Sequence, residues 1–436
     1  MSDLAIGGLG IASILVLLAL RVQIAFALGI VSFIGIMLVR GWGAALSTVG
    51  TLPFSFASSW ELSAVPMFLL MGAAAFQMGL TANLFRATRL WMNSIPGGLA
   101  VTTNITAAGF AAASGSSVAT SAAVGRLAIP EMLRFGYDKG LATGTVAASG
   151  TLGALIPPSI AFVIYGWYTG QSVSLLLMAG LIPGLLTAGI YSAMIIGRCI
   201  RSPELAPKVA QTVTWKEKFE ALASVWPMPV LILAVIGSIY SGIATPTEAG
   251  AVAAAFAFII GASQGNLTWK SLRHSLDDTM NTTASLFFIA IGALLLTRFL
   301  AMAGVPEVVS ETVASLELSK VQLVIAMALV FLVLGMFLDP IGVMLLTLPI
   351  FLPTFEALDM DLIWIGVIVV KMVEVGVLTP PVGINVYVVK TVAGDSVPLT
   401  AVFRGVVWFL ACEIVIISIL IAYPAVSLWL PQLMTH

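Results

Sequence analysis

Long uncharged stretches of apolar residues alternate along the chain with short segments that carry most of its charges. A membrane-spanning helix needs about 20 consecutive apolar residues. The uncharged run 140–197 is long enough for two such crossings. Other apolar stretches predict spans over residues 4–20, 22–39, 62–85, 225–240, 249–263, 279–299, 362–390 and 406–422. The pattern therefore predicts an all-α polytopic membrane protein.

The segment 144–169 inside this run cannot form an ordinary helix. Pro157 and Pro158 remove two backbone donors, and Gly150 and Gly153 loosen the preceding turn. We expect the helix to break there, near the middle of the membrane. Carbonyls freed at that depth need polar partners, so such a break usually lines an enclosed polar cavity. A packing kink is the alternative interpretation.

A second segment, Val375–Lys390, repeats this pattern. Its Pro380 aligns with Pro157 at an offset of 223 residues, and Gly376 then falls on Gly153. We interpret the chain as a tandem duplication of roughly 220 residues. Matching interruptions in two halves are the best sequence pointer to the binding site of a secondary transporter built from inverted structural repeats.

Two regions predict re-entrant hairpins. Residues 90–125 are too long for one simple crossing and contain the polar cluster SGSSVATS, so we place a hairpin tip near Ser114. Residues 321–353 predict a second hairpin, whose tip is Leu338–Gly342. Each hairpin precedes a broken span, so each half would pair one tip with one break.

The polar segments divide the chain. Leu80–Trp91 has the pattern of an interfacial amphipathic helix. Residues 198–220 form a hydrophilic linker, and Glu307, Glu311 and Glu317 mark an acidic external loop. The predicted units are 1–94 (scaffold spans and interfacial helix), 95–197 (first hairpin, broken helix and following span), 198–224 (cytoplasmic linker), 225–320 (second scaffold spans and external loop) and 321–436 (second hairpin, broken helix and last span).

Basic residues predict the orientation, because short cytoplasmic loops are enriched in Lys and Arg. With the linker inside the cell, the two halves are inverted, both termini lie outside, and the chain has ten crossings and two hairpins. The other basic residues then placed inside are Arg21, Arg86, Arg89, Arg134, Lys139, Lys270, Arg273, Lys390 and Arg404.

Composition supports the membrane assignment and narrows the function. Of 436 residues, 60% are hydrophobic and 9% are charged, against about 25% charged residues in soluble domains. The net charge of -1 excludes the excess of positive charge that is typical of nucleic-acid-binding proteins. Met1–Leu20 lacks a basic start and is expected to be a retained span, and the two cysteines predict no disulfide. Histidines occur only at positions 274 and 436, and no nucleotide-binding loop or metal-ligand cluster is evident, so we expect no enzyme chemistry.

The first hairpin tip carries the clearest candidate chemistry. Ser114–Ser117 and Thr120 offer hydroxyls and loosened carbonyls, which are hard oxygen ligands suited to a small cation. Small-residue helix packing is the alternative. In the second hairpin, Asp339 is an ionisable residue at membrane depth, which is costly unless it faces a polar cavity. It could also cap the helix that follows.

The second break offers Gly376, Thr379, Gly383 and Asn385 opposite its own hairpin tip. Two charged pairs have simpler interpretations. Lys371 and Glu374 lie three residues apart on one helical face, which favours a self-neutralising pair over a coupling network. Asp277–Asp278 is interpreted as an acidic pair that stabilises a helix start.

Several motifs together resemble one known family. They are IPPS and TPPVG at the breaks, SGSSVAT followed by IPEM at 129–132, and ATPTEAGAVAA at 244–254. This set resembles the large membrane (M) subunit of TRAP transporters, the tripartite ATP-independent periplasmic systems, over essentially the whole chain. The resemblance implies a sodium-coupled elevator-type transporter of the bacterial inner membrane that imports organic acids, such as dicarboxylates or sialic acid. It also implies two protein partners, a small four-span membrane subunit and a periplasmic substrate-binding protein.

The resemblance also implies two sodium sites, each shared by a tip and a break. The implied sodium ligands are Ser114, Gly115, Ser116, Ser117, Gly150, Thr151 and Pro157 in the first half, and Asp339, Gly342, Gly376, Thr379 and Pro380 in the second. The expected substrate contacts are Thr120, Pro158, Ser159, Pro381, Gly383 and Asn385.

Two other functions stay open at this point. A stand-alone ion-coupled carboxylate carrier would have a similar internal pattern, and a channel would also use hairpins. No additional spans are expected within the chain, so a separate small subunit would have to supply them. The sequence does not identify the acid or the number of sodium ions per cycle.

Overall fold

The computed structural model describes residues 2–20, 22–207, 213–315 and 319–434. Within these ranges the chain is a bundle of helices without strands. Residues named in the sequence interpretation that lie outside the described ranges are Met1, Arg21, Glu317 and His436.

The first half contains ten α-helices. In chain order they are α1 (Asp3–Ala19), α2 (Ile24–Arg40), α3 (Trp42–Ala57), α4 (Ala64–Gln77), α5 (Leu80–Met92), α6 (Gly98–Ser114), α7 (Ser117–Arg134), α8 (Lys139–Gly150), α9 (Ile160–Thr169) and α10 (Val173–Arg201).

The second half continues after the linker. Its helices are α11 (Trp215–Ser224), α12 (Pro227–Ile232), α13 (Ser238–Tyr240), α14 (Pro246–Ser263), α15 (Trp269–Met302), α16 (Val305–Ser315), α17 (Lys320–Gly335), α18 (Pro340–Ala357), α19 (Leu362–Gly376), α20 (Ile384–Ala393), α21 (Leu399–Ala422) and α22 (Ala425–Met434). A π-helical turn, Leu233–Gly237, joins α12 to α13.

Both predicted helix breaks are present, and a helix pair is present at each predicted hairpin, whose re-entrant character stays a prediction. Helices α6 and α7 form the first hairpin, and α17 and α18 form the second. The first break separates α8 from α9, and the second separates α19 from α20. The peptide bonds Pro157–Pro158 and Pro380–Pro381 are both cis.

The predicted span 62–85 is wrong at its end and incomplete at its start. Helix α4 stops at Gln77, and Gly79, at a φ of 80°, turns the chain into the separate amphipathic helix α5. Upstream, the sequence interpretation missed α3, which meets the helical segment Trp60–Gln77 at a bend of 57°. Helix α3 was missed because its Ser, Thr and Gly residues lower its hydrophobicity, so the apolar pattern did not mark it as a span.

Two polar segments are more helical than expected. The predicted acidic loop is helical at Glu307 and Glu311, which both lie in α16. The end of the predicted linker forms α11, whose start is closed by a capping box between Thr214 and Glu217. Helix α11 packs against α5, where Trp91 Nε1 donates to the Lys218 carbonyl at 3.2 Å.

Small residues allow the helices to pack closely. The ring of Phe299 on α15 fills the space left by Gly10 and Gly35, and Gly144 on α8 lies directly against Gly405 on α21. Such contacts are typical of helix packing in membranes, where lipid gives no hydrophobic advantage to helix association.

Six described helices are long and apolar enough to cross a membrane, or up to seven if the bent pair around residue 58 counts as one span. Shorter apolar helices, including Ile24–Arg40 and Lys320–Gly335, accompany them. The protein is therefore a multi-pass membrane protein. The arrangement of ten crossings and two hairpins stays a prediction.

Candidate functional site

The tip of the first hairpin is closed by its own polar groups. Helix α6 ends at Ser114, and Gly115 adopts a φ of 65°, which glycine tolerates without steric cost. Ser116 caps α7 by accepting from the Ala119 N–H at 3.4 Å. The hydroxyls of Ser114 and Thr120 are hydrogen-bonded at 2.6 Å. These bonds fix the tip as a rigid turn.

The first break is bound to this tip. After Gly150 the chain forms a 3₁₀ turn, Thr151–Ala154, and α9 begins only at Ile160. Ser159 bridges the gap, because its hydroxyl donates to Ala154 O at 2.5 Å and accepts from Phe162 N at 3.3 Å. The Ile160 N–H donates to Gly115 O at 3.1 Å. Tip and break therefore form one unit.

Glycines bring oxygen atoms of α7 close to the break. A Cβ atom on Gly153 would lie 2.5 Å from both Ser116 O and Thr120 Oγ1, and one on Gly150 would collide with Ser121 Oγ. The Ser121 hydroxyl is buried without a hydrogen-bond partner among the described residues. Carbonyl and hydroxyl oxygens thus converge where the sequence predicted the first sodium site, and hard oxygens are what such an ion requires.

The second half repeats the tip-to-break contact. The Gly383 N–H, which corresponds to Ile160 by the 223-residue offset, donates to Met336 O at 3.2 Å. Gly376 and Gly335 lie in backbone contact. Asp339 caps α18 through a 3.0 Å bond from the Gly342 N–H, so the capping role considered from the sequence is present.

The two breaks differ in exposure. Pro157, Pro158 and Ser159 are buried, whereas Pro380 and Pro381 are exposed. The Thr379 hydroxyl donates to Val375 O at 2.7 Å. Asn385 is fully buried, and neither of its amide atoms has a hydrogen-bond partner among the described residues.

A cavity of about 530 Å³ lies between the two hairpin tips. The first tip contributes Ser114–Ala119, the second contributes Asp339–Ile341, and α19 contributes Glu374. The facing wall comes from α4 and α15. Its polar residues on α15 are Asp278, Thr279, Asn281, Thr282 and Ser285.

The cavity contains only part of the predicted site. Ser114–Ser117 and Asp339 line it. The predicted residues that do not line it are Thr120, Gly150, Thr151, Pro157, Pro158, Ser159, Gly342, Gly376, Thr379, Pro380, Pro381, Gly383 and Asn385. Apolar residues of the first break, Ala154 and Ile160, line the cavity in their place, so a ligand there would meet the polar groups of the tips and only apolar groups of the first break.

The predicted pairing of Lys371 with Glu374 is wrong. Lys371 Nζ lies 2.8 Å from Glu413 Oε1 on α21 and 3.0 Å from Thr187 Oγ1 on α10. The Tyr191 hydroxyl donates to the same Glu413 oxygen. Contact with a carboxylate on another helix thus replaces the pair within α19, and it leaves Glu374 facing the cavity.

The interpretation of Asp277–Asp278 is also wrong, because α15 begins at Trp269 and both residues lie beyond its first turn. The dipole effect is confined to that turn. Asp277 instead lies 3.6 Å from Arg273 Nε, whereas Asp278 lines the cavity.

Sequence reasoning missed the polar face of α15 and Arg126, and it assigned no ligand role to Ser121, the last residue of the cluster SGSSVATS. Among the described residues that line the cavity, Arg126 is the one cation, and its guanidinium stacks over the Phe76 ring at 5.8 Å. The sequence directly after SGSSVAT could have indicated these residues, because Ser121 and Arg126 lie on α7, the helix that starts at the tip.

The fold resembles that of a solved transporter. The structure of the Alcanivorax borkumensis YdaH transporter matches with a TM-score of 0.64 at 14% identity, covering 88% of this chain and 89% of that chain. Fold and helix lengths together define a multi-pass membrane protein.

Sequence comparison identifies the family. Residues 11–426 match the family model described as the tripartite ATP-independent periplasmic transporter, DctM component. The chain belongs to this family of TRAP large permeases.

Relatives in the family carry names with different substrates. The C4-dicarboxylate TRAP transporter large permease DctM of Pseudomonas aeruginosa is 36% identical over 87% of this chain and 88% of its own. The sialic acid permease SiaM of Vibrio cholerae is 32% identical over 86% and 87%. The ectoine permease TeaC of Halomonas elongata is 31% identical over 97% and 98%.

Proposed function

We propose that the protein is the large permease of a sodium-coupled importer of an organic acid. The observation that carries this proposal is the charge of the cavity between the tips. Its lining has three carboxylates, from Asp278, Asp339 and Glu374, against the single guanidinium of Arg126 among the described residues. An acid would be repelled from this excess of negative charge unless cations bound with it, which is the physical requirement for symport.

Arg126 is the proposed anchor for the substrate carboxylate. A guanidinium forms two parallel hydrogen bonds with a carboxylate, which fixes orientation as well as charge. The Phe76 ring beneath it holds the side chain at the cavity wall. Asn281, Thr282 and Ser285 on α15 line the same cavity, and their hydroxyl and amide groups would bind the remaining polar groups of the acid.

The proposed sodium sites lie at the tips and breaks. In the first half, the proposed ligands are Ser116 O and Thr120 Oγ1, which lie close to Gly153, and Ser121 Oγ, which lies close to Gly150. In the second half, the unpaired amide of Asn385 is a candidate ligand beside Gly383. Ions at these sites would lie close to the cavity and would weaken its repulsion of the acid.

Transport is proposed to follow an elevator mechanism. The tip-to-break hydrogen bonds in both halves make the two hairpins and their breaks a suitable moving body. Inverted repeats would allow that body to present one site to either side of the membrane in turn. The scaffold would be α1–α5 with α14 and α15.

The family description implies further components. We propose that a small four-span membrane subunit contacts the scaffold in the bacterial inner membrane, among its lipids. A periplasmic binding protein would deliver the acid and set its identity.

The test is uptake into liposomes that carry this chain, its small membrane subunit and the binding protein. The acid is first identified as the binding protein's ligand by calorimetry. Uptake should require an inward sodium gradient and should not require ATP. Equal uptake with potassium in place of sodium contradicts the proposal, and uptake without either partner favours a stand-alone carrier.

Arg126→Gln tests the anchor in the same liposomes. The half-saturating concentration of acid should rise at least about ten-fold, as expected for the loss of a charged hydrogen bond of about 1.5–3 kcal/mol. Arg40→Gln is the matched control, because Arg40 lies at the end of α2 outside the cavity lining.

A further inference from the structure

Glu374 is a buried carboxylate that lines the cavity between the tips. Its side chain is in the last turn of α19, and the residue is only 1% exposed. Neither Oε1 nor Oε2 has a hydrogen-bond partner of normal geometry among the described residues. Burial of an ionised carboxylate without a partner is strongly unfavourable, so this carboxylate either takes up a proton or binds a cation.

The charged groups near Glu374 do not supply one. Lys371 is the nearest cation along α19, but its ammonium is bonded to Glu413 and Thr187. Glu413 itself faces Glu374 as a second negative charge. Across the cavity, Asp339 and Asp278 add negative charge, and Arg126 lies over the Phe76 ring. Lys371 therefore acts on Glu374 only from a distance, and no cation among the described residues is bonded to the Glu374 carboxylate.

Oxygen ligands lie beside the carboxylate. The Ser117 hydroxyl faces Glu374 across the start of α7, and the first hairpin tip supplies further hydroxyls from Ser114 and Ser116. A carboxylate and neutral hydroxyl oxygens form a hard donor set, which suits a small cation with no preference for nitrogen or sulfur.

We propose that Glu374 and Ser117 bind a sodium ion at the cavity wall, in addition to the two ions at the tips and breaks. The inference deepens the proposed function and rests on it for the coupling role. The ion would contact α19 and the first hairpin at once, so it would join the two halves of the moving body. It would also remove one negative charge from the cavity before the acid enters.

The experiment measures binding of ²²Na⁺ to the purified full-length chain in detergent. Glu374→Gln keeps the side-chain volume and removes the charge. It should lower the saturating amount of bound sodium by one ion per chain. Ser117→Ala should raise the half-saturating sodium concentration of that site several-fold. Glu356→Gln is the matched control, because it removes an exposed carboxylate from α18 and should leave the isotherm unchanged.

An unchanged sodium isotherm in Glu374→Gln overturns the site. Measurement at several pH values separates sodium from a proton: if Glu374→Gln abolishes a pH dependence and keeps full sodium binding, the carboxylate binds a proton and the proposal is wrong. If Glu374→Gln does not yield monodisperse protein, Ser117→Ala tests the site instead. An unchanged half-saturating sodium concentration in Ser117→Ala then overturns the proposed site.

The same assay separates this site from the transport proposal, because binding needs neither partner proteins nor a gradient. Sodium-independent uptake, together with Glu374-dependent binding, would reject symport and retain the site.

Discussion

Glycines at the first break allow oxygen atoms of α7 to approach its backbone closely, because glycine has no Cβ atom. Gly153→Ala would place a Cβ atom 2.5 Å from Ser116 O and Thr120 Oγ1, so the tip must move away. Overpacking costs about 1–3 kcal/mol, which corresponds to roughly 5- to 150-fold in affinity. We expect the half-saturating sodium concentration for uptake to rise within this range.

The control for this substitution is Gly189→Ala, because a Cβ atom at Gly189 on α10 meets nothing within 4 Å. It should leave the sodium dependence unchanged. Equal sodium curves for the wild type and Gly153→Ala would show that the oxygens near Gly153 do not bind the ion.

The buried pair of Lys371 and Glu413 predicts a large loss of stability. Glu413→Gln leaves the Lys371 ammonium without its counter-charge, and breaking a buried pair costs about 3–5 kcal/mol. Thermal unfolding in detergent should shift clearly downward. The double substitution Lys371→Met with Glu413→Leu should recover much of the lost stability, because a buried apolar pair has no charge that needs a counter-charge.

A Glu413→Gln protein as stable as the wild type would contradict this account of the pair. Lys371 would then have another counter-charge, and Glu374 would be the obvious group.

At the residue scale, the sequence predicted the polar residues of the cavity more accurately than it predicted the partners of charged residues. The hydroxyls of Ser114–Ser117 and the carboxylate of Asp339 do line one cavity. The partner of Lys371 lies 42 residues away on α21, whereas helical periodicity relates only residues three or four apart. Local spacing therefore suggested Glu374, and tertiary packing favoured Glu413.

At the level of helices, the contact between α4 and the first hairpin requires a small residue. A Cβ atom on Gly72 would lie 2.8 Å from both Ala113 O and Ser114 Cα, which are backbone atoms at the tip. Gly72→Ala should therefore slow uptake by hindering motion of the tip past α4, and because Gly72 also lines the cavity, acid binding is measured separately. Initial rates and half-saturation in liposomes separate these effects.

Gly29→Ala on α2 is the control for that contact, because its Cβ atom would meet nothing within 4 Å. A wild-type uptake rate in Gly72→Ala would mean that the tip does not pass close to α4 during transport.

The sequence predicted hairpins and breaks well because prolines, glycines and polar clusters mark them directly. It missed α3 and extended α4 for a different reason. Hydrophobicity alone does not locate a turn such as Met78–Gly79, where a φ of 80° separates two helices. The polar face of α15 was missed because its Asn, Thr and Ser residues are spread along an otherwise apolar helix.

At the scale of the whole molecule, the elevator proposal predicts that the scaffold and the hairpins must separate. Leu84 on α5 and Gly109 on α6 face each other, since a Cβ atom on Gly109 would lie 2.7 Å from Leu84 Cδ2. Cysteines at both positions, with Cys199 and Cys412 replaced, should be joined by a short bifunctional reagent. Cross-linking should then abolish uptake.

Cysteines at Met67 and Gly250 are the matched control, because a Cβ atom on Gly250 would lie 3.0 Å from Met67 Cβ and both helices belong to the proposed scaffold. Cross-linking there should leave uptake intact. Uptake that survives the cross-link between α5 and α6 would favour gating by the tips over movement of the whole body.

The central claim is that sodium and an organic acid cross the membrane together through the cavity between the tips. Simultaneous measurement of ²²Na⁺ and labelled acid entering the same liposomes tests it most directly. In sodium symport, the acid should stimulate sodium entry, the two fluxes should keep a fixed ratio, and Arg126→Gln should lower both. Sodium entry that is unaffected by the acid would contradict it.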